Sequence, residues 1–263
     1  MRMKNERFFV WFNRLFFSLS YLLHQGKSEV VVNAGGGAKF WVRVNTPDRL
    51  MIWEIWRAKV YDDRRLSIGE TDTIVDIGAH IGAFSVRAAK LAPRGQVYAY
   101  EPSGKNHDML LRNRRLNDVK NLHIENSAVS GMSGQMTLFT PAGNAIMGSL
   151  LQSASSFTES VAVTTLHDIL VGHKILRLDL LKMDVEGAEY DILFGCPNES
   201  MAKIQRVVME FHEFDSEKRT HRDLVSLLEG HGFTVVVENG YFPQPQWFGT
   251  GFSRIGILKA WRD

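Results

Sequence analysis

The sequence predicts an α/β protein. It reads as a doubly wound, Rossmann-like sheet, mostly parallel, with an antiparallel C-terminal hairpin and an N-terminal helical and β appendage. Three observations predict it. The apolar run of Ile74, Val75 and Ile77 suits a strand buried on both faces, and it passes through Gly78 and Gly82 into a helical pattern. Strand-like and helix-like patterns alternate from Thr73 onward, which implies right-handed crossovers and parallel strands. Two apolar runs near the end of the chain, over 233–237 and 254–260, are joined by a loop-like segment, as in a terminal hairpin.

The appendage comes first. Phe8, Trp11, Phe12, Leu15, Leu19 and Leu22 fall at helical spacing within residues 8–23, behind Arg2, Lys4 and Arg7. A helix with so apolar a face fits packing on the body, self-association, or a peripheral position on a membrane surface. Asn13 and Arg14 interrupt the run and no small-residue cleavage site follows, so neither a signal peptide nor a membrane span is expected. Residues 29–45 read as short strands around a turn at Gly35, Gly36 and Gly37. Residues 48–61 read as a helix whose Trp53, Trp56 and Tyr61 cover the core or roof a ligand site. The chain thus divides into an appendage, 1–65, and a main domain, 66–263.

In the main domain the first turn leads to a helix ending near Leu91. A strand over 96–100, a helix over 105–116 and a strand over 122–125 follow. Residues 130–166 break the alternation: Gly131, Gly134, Pro141, Gly143 and Gly148 punctuate segments such as 135–139 and 161–165, which suit added antiparallel strands or loops. Residues 144–156 are small and polar and read as a loop. Apolar strands then precede Asp184 and span 206–211, and a helix covers 221–232. The aromatic segment 241–248 stacks on an acceptor or packs under the sheet. A net charge of +2, from 31 basic and 29 acidic residues, gives no electrostatic footprint for a nucleic-acid partner. The single cysteine, Cys196, allows no internal disulfide and no metal knuckle, and fits a cytoplasmic protein.

Ligands of such a sheet sit at the carboxyl ends of its strands, where this chain concentrates its acids. Asp76 ends the first strand beside Gly78 and Gly82, which admit close backbone approach. A carboxylate there repels a pyrophosphate but accepts from the ammonium of an amino-acid cofactor, and S-adenosylmethionine has that ammonium and no phosphate. Glu101, 25 residues further on, suits both hydroxyls of a ribose. A nicotinamide reductase uses the same acid, but its Gly-x-Gly-x-x-Gly turn is missing, because position 80 is His. Asp184 ends a later strand, Glu186 and Glu189 surround the next helix start, and Glu210 and His212 alternate to one side of the strand after that, opposite Phe211.

In this order, residues 75–82 (Val-Asp-Ile-Gly-Ala-His-Ile-Gly), Glu101-Pro102, Asn126 to Ala128, residues 182–189 (Lys-Met-Asp-Val-Glu-Gly-Ala-Glu) and Glu210 to His212 resemble the FkbM family of S-adenosylmethionine-dependent methyltransferases. The resemblance implies methyl transfer to oxygen, on a sugar, glycan or secondary metabolite. It also implies a cofactor set of Asp76, Gly78, Ala79, His80, Gly82, Glu101, Pro102, Ser127, Ala128 and Asp184. In that set the first turn holds the methionine part, Glu101 takes the ribose, and Ser127 with Ala128 flank the adenine. His80 replaces the family's usual Asn, and both types tolerate a positive φ. Leu166-His167-Asp168 also departs from the two acids more usual after Leu.

A hydroxyl acceptor must lose its proton as the new bond forms. His212 is the first candidate base, oriented by Glu210, with Asp184 the second. A divalent metal held by Asp184, Glu210 and His212 is the alternative. The competing function class is a membrane-associated or scaffold protein that keeps the fold without turnover.

Overall fold

A computed structural model describes residues 27–44, 46–141, 156–214, 219–239 and 252–262. The helical pattern at 8–23 lies outside these residues, as do the aromatic segment 241–248 and residues 144–155 of the polar loop.

Alternating apolar residues make an antiparallel hairpin of β1, Glu29–Gly35, and β2, Ala38–Arg43. It turns at Gly35 to Gly37, all of positive φ, as the sequence predicts. The helix read over 48–61 is two pieces. A short α1, Asp48–Trp53, widens into a π-helical turn, Glu54–Ala58, and Lys59 ends it in the left-handed region at φ 54°. A π turn adds one residue per turn and re-aims every side chain after it, a change invisible to 3.6-residue periodicity. Here it places the Trp56 indole to donate to the Ala83 carbonyl at 3.0 Å and stand edge-on to Phe40.

The central sheet has seven strands. In chain order they are β3, Thr73–Ile77; β4, Gln96–Tyr100; β5, Leu122–Glu125; β9, Leu180–Met183; β10, Arg206–Phe214; β11, Thr234–Asn239; and β12, Phe252–Trp261. Their spatial order is β11-β12-β10-β9-β3-β4-β5. The run from β10 to β5 is parallel, and β12 is inserted antiparallel between β10 and β11, giving the expected C-terminal hairpin. The expected extra strands also form: β6, Ala128–Val129, β7, Gly134–Pro141, and β8, Ser156–Thr164, make a separate three-stranded sheet.

Helices cover both faces, as a doubly wound sheet requires. On one face α2, Ala83–Leu91, and α3, Gly104–Leu116, share a core with the hairpin and α1. Phe40, Val42, Ile52 and Tyr61 cluster there with Ile74, Phe84, Leu110 and Val208. On the other lie α4, Leu166–Gly172, α5, Glu189–Phe194, α6, Asn198–Met201, and α7, His221–Gly230, over Val75, Met183, Met209 and Phe211. The residues of 29–61 therefore close one side of the sheet's own core.

Candidate active site

Strand register brings the acids together. Ile77 pairs with Met183 and with Tyr100, and Met183 pairs with Met209. Gly78, Glu101, Asp184 and Glu210 are therefore each the first residue beyond that level, on four adjacent parallel strands. β10 runs on past the end of β9, to Phe214 rather than Phe211, because β12 continues to pair with it. Glu210 and His212 thus project on a rigid strand beside Asp184.

The first turn is built as its sequence suggests, for partly different reasons. His80 takes φ 53° and Gly82 takes φ 87°. The two glycines yield space to protein: a Cβ on Gly78 would lie 1.9 Å from the Asp184 carbonyl oxygen, and one on Gly82 2.1 Å from Leu110 Cδ1. Asp76, expected to take a cofactor ammonium, is fully buried and committed elsewhere. It sits 3.0 Å from Lys182 Nζ, its cross-strand neighbour, and accepts from Ser85 Oγ at 2.5 Å. Lys182 also donates to the Gly78 carbonyl at 2.9 Å, so the pair pins the turn to β9. Its Oδ1 has no hydrogen-bond partner among the described residues beyond this ion pair.

Glu101 is 5 % exposed and reaches back to the turn. Its Oε2 accepts from His80 N at 2.7 Å, and its Oε1 from Ser103 N at 3.0 Å and Asn106 Nδ2 at 3.2 Å. Burial raises its pKa, and these three donors work against the rise. Of about four acceptor positions on a carboxylate, about one stays open, on Oε2. Bidentate capture of a ribose therefore requires Asn106 to yield. The turn is also wired to the appendage: Arg43 clamps the buried Asp48 through Nε and Nη2 and donates to Asn106 Oδ1 at 2.8 Å, while His80 Nε2 lies 3.8 Å from Asp48. Burial lowers the His80 pKa, and its Nδ1 is buried without a hydrogen-bond partner among the described residues. Asn126 fixes the neighbouring loop by donating to the Glu101 and Pro102 carbonyls, and the half-buried Ser127 and buried Ala128 follow it in the chain, Ala128 pairing with Val163 of β8.

Across Asp184 lies a second group. His212, 2 % exposed, meets Glu189 through Nδ1 at 2.8 Å, and its Nε2 is 3.5 Å from both Glu210 and Glu186. Glu210 is the acid expected to orient the imidazole, and the nearer carboxylate is that of Glu189, on the other ring nitrogen. Glu189, fully buried at the start of α5, does both: its Oε1 accepts from Gly187 N at 3.2 Å, as a helix-start acid does, and meets His212 Nδ1 at 2.8 Å. Burial alone would lower the His212 pKa; the Glu189, Glu210 and Glu186 carboxylates override it and hold it well above the ordinary value. Glu210 is pushed up to about 7 by burial and by Asp184, against the pull of His212. Ligand atoms of Asp184, Glu210 and His212 lie within 4.8 Å of one another, so the set proposed for a metal is assembled.

Two residues of this group come from the upstream segment. The Tyr61 hydroxyl donates to Asp184 Oδ2 at 3.2 Å, so Tyr61 serves both packing and site. Glu54, on the π-helical turn, is 7 % exposed; burial, then Glu210 and Asp184, push it up to about 8. The sequence does carry a signal for Glu54: it is the one acid in the apolar stretch Met51-Ile52-Trp53-Glu54-Ile55-Trp56. By contrast, His167 bonds Ser200 at 2.8 Å and Asp168 sits in the first turn of α4, so that departure touches none of these residues.

Residues 76–235 match the methyltransferase FkbM domain. The chain is 27 % identical over 270 residues to the 31-O-demethyl-FK506 methyltransferase FkbM of Streptomyces tacrolimicus, covering 90 % of this chain and 96 % of that protein. It is 30 % identical over 215 residues to Methyltransferase 1 of Beauveria bassiana, covering 74 % and 82 %. Among solved structures it resembles a SAM-dependent methyltransferase from Agrobacterium tumefaciens, with a TM-score of 0.48 at 11 % identity over 91 % of this chain and 71 % of that one.

Proposed function

The chain belongs to the methyltransferase FkbM domain family, and from that premise we propose that it transfers the methyl group of S-adenosylmethionine to a hydroxyl of a secondary metabolite, sugar or glycan. The observation that carries this reading is the shared level of four strand ends. A turn suited to an amino-acid nucleoside, Gly78 to Gly82 with Glu101, faces an acid and imidazole cluster across Asp184. Transfer to oxygen is the activity in the name of the Streptomyces relative.

The donor side fits the cofactor on its own atoms. Glu101 Oε2 keeps an acceptor position for a ribose hydroxyl, and His80 Nδ1 is a buried polar atom in need of a partner. The acids Asp184 and Glu210 suit a positively charged sulfonium nearby. When bound, the cofactor supplies an activated methyl group. The protein's part is then alignment, exclusion of water and activation of the acceptor oxygen.

Activation falls to the Asp184, Glu210 and His212 cluster. Glu189 accepts the Nδ1 proton of His212 and so turns Nε2 toward Glu210 and Asp184. Tyr61 holds one Asp184 oxygen, leaving the other to face the acceptor. Titration calorimetry of the full chain with S-adenosylhomocysteine tests the reading: saturable binding, weakened in Glu101→Gln, is expected, and the absence of binding would sink it.

A further inference from the structure

We propose that the acceptor side is a binding site for an oxygen-preferring divalent cation, Mg²⁺ or Mn²⁺, held by Asp184, Glu210 and His212 Nε2, with Glu54 as an outer carboxylate facing its bound water. The inference rests on the methyltransferase reading and says how that site activates a hydroxyl.

Geometry supplies the first argument. Ligands of such a cation at about 2.1 Å stand about 3.0 Å apart when neighbours and about 4.2 Å apart when opposite. His212 Nε2 and Glu210 Oε1 are 3.5 Å apart and all three ligand atoms lie within 4.8 Å of one another, so side-chain shifts of about an ångström or less close them on a cation. The cluster is also carried on β10 and the end of β9, rigid elements whose register fixes Asp184 level with Glu210.

The second argument is the setting of His212. A metal-binding imidazole characteristically gives its other ring N–H to a carboxylate. The buried Glu189 takes Nδ1 at 2.8 Å, while Nε2 faces Glu210 at 3.5 Å. One carboxylate on the far nitrogen, with oxygen donors around the near one, is the arrangement of a ligand and its supporting shell.

The third argument is independent of the cluster's own contacts. Glu54 is 93 % buried, being 7 % exposed, and its Oε1 has no hydrogen-bond partner among the described residues. It lies within electrostatic reach of both Asp184 and Glu210. An ionised acid buried toward two other acids is costly unless a positive charge stands among them, and Glu54 otherwise keeps its proton. Lys182 is bound to Asp76 and the Gly78 carbonyl, and the His212 imidazole is already shared among Glu189, Glu186 and Glu210. A cation among Asp184, Glu210 and Glu54 balances the charge, and its bound water gives Glu54 Oε1 a donor. There it lowers the pKa of a coordinated hydroxyl, the service methyl transfer to oxygen needs.

Mn²⁺ tests this in the full-length protein, with free Mn²⁺ followed by paramagnetic resonance in the presence of S-adenosylhomocysteine. One bound Mn²⁺ per chain is expected. Glu210→Gln should weaken it at least tenfold, and Glu189→Gln by roughly 10–100-fold, the usual loss on removing a supporting carboxylate. Melting curves confirm that each variant is folded, and Glu210, 15 % exposed, is the substitution least able to disturb the core. Wild-type protein that leaves Mn²⁺ free, or a Glu210→Gln variant that binds it as wild type does, overturns the cation site. Binding of S-adenosylhomocysteine in EDTA is read alongside. If it persists while Mn²⁺ stays free, the cation inference falls and the methyltransferase reading stands; if it too is absent, the reading beneath falls.

Discussion

Buried acids at residues 54 and 210 make stability depend on pH in a definite direction. Burial and the neighbouring Glu210 and Asp184 push Glu54 up to about 8 in the folded chain, from an ordinary value of 4.5. Between those values the native state holds more protons than the unfolded one, so stability falls as pH rises through that window. Glu210, raised to about 7, adds to the fall over its lower part. In EDTA the melting temperature should therefore drop from pH 5 to pH 8. Glu54→Gln should flatten the drop and melt higher than wild type at pH 8; a variant that melts lower there would show that the Glu54 carboxylate is satisfied. Glu189→Gln should cut turnover at least tenfold while leaving donor affinity within about threefold, measured as kcat beside calorimetric Kd, because Glu189 acts through His212. Asp76, Glu101, Asp184, Glu210 and His212 are legible in the sequence because each ends or continues an apolar strand, and strand ends face the ligand. The partners of those acids are less legible: nothing in one dimension says that Lys182 takes Asp76, or that His80, Ser103 and Asn106 crowd Glu101.

The first turn and the π-helical turn are the elements on which the site depends. Gly78 is needed twice over, for φ 75° and for a carbonyl that would overlap a Cβ. Gly78→Ala should cost about 2–4 kcal/mol, combining left-handed strain with overpacking, seen as a lower denaturation midpoint. Donor binding should weaken with it, since the displaced Asp184 backbone belongs to the same edge. Trp56 joins the π-helical turn to the start of α2 through the Ala83 carbonyl. Trp56→Phe should cost about 0.5–1.5 kcal/mol for the lost hydrogen bond and raise the acceptor KM more than the donor Kd, because Glu54 and Tyr61 ride on the same segment. Equal losses on both sides would argue against that division. Helical spacing over 48–61 shows the helix but hides the π turn, and so hides where Glu54 and Tyr61 point. The glycines are visible as a turn, while the reason they are needed, close packing of β3 against β9 and α3, appears only in three dimensions.

At the scale of the molecule, the sheet is the part most fully legible. Alternating strand and helix patterns predict parallel strands, and the terminal apolar pair predicts the hairpin that enters between β10 and β11. What periodicity does not reveal is that residues 29–61 pack into the sheet's own core and deliver two side chains to the site, upstream of the family match at 76–235. Among the described residues no helix is long and apolar enough to cross a membrane. The strand-end acids are written in the sequence, whereas the meeting of side chains from several elements at Asp184 is not. The most direct measurement is transfer of labelled methyl from S-adenosylmethionine into an extract of hydroxylated metabolites, with the labelled product identified. The expected result is a methyl ether formed by the wild-type chain and reduced at least 100-fold in His212→Ala. Label on nitrogen or carbon, or undiminished transfer by His212→Ala, would contradict it.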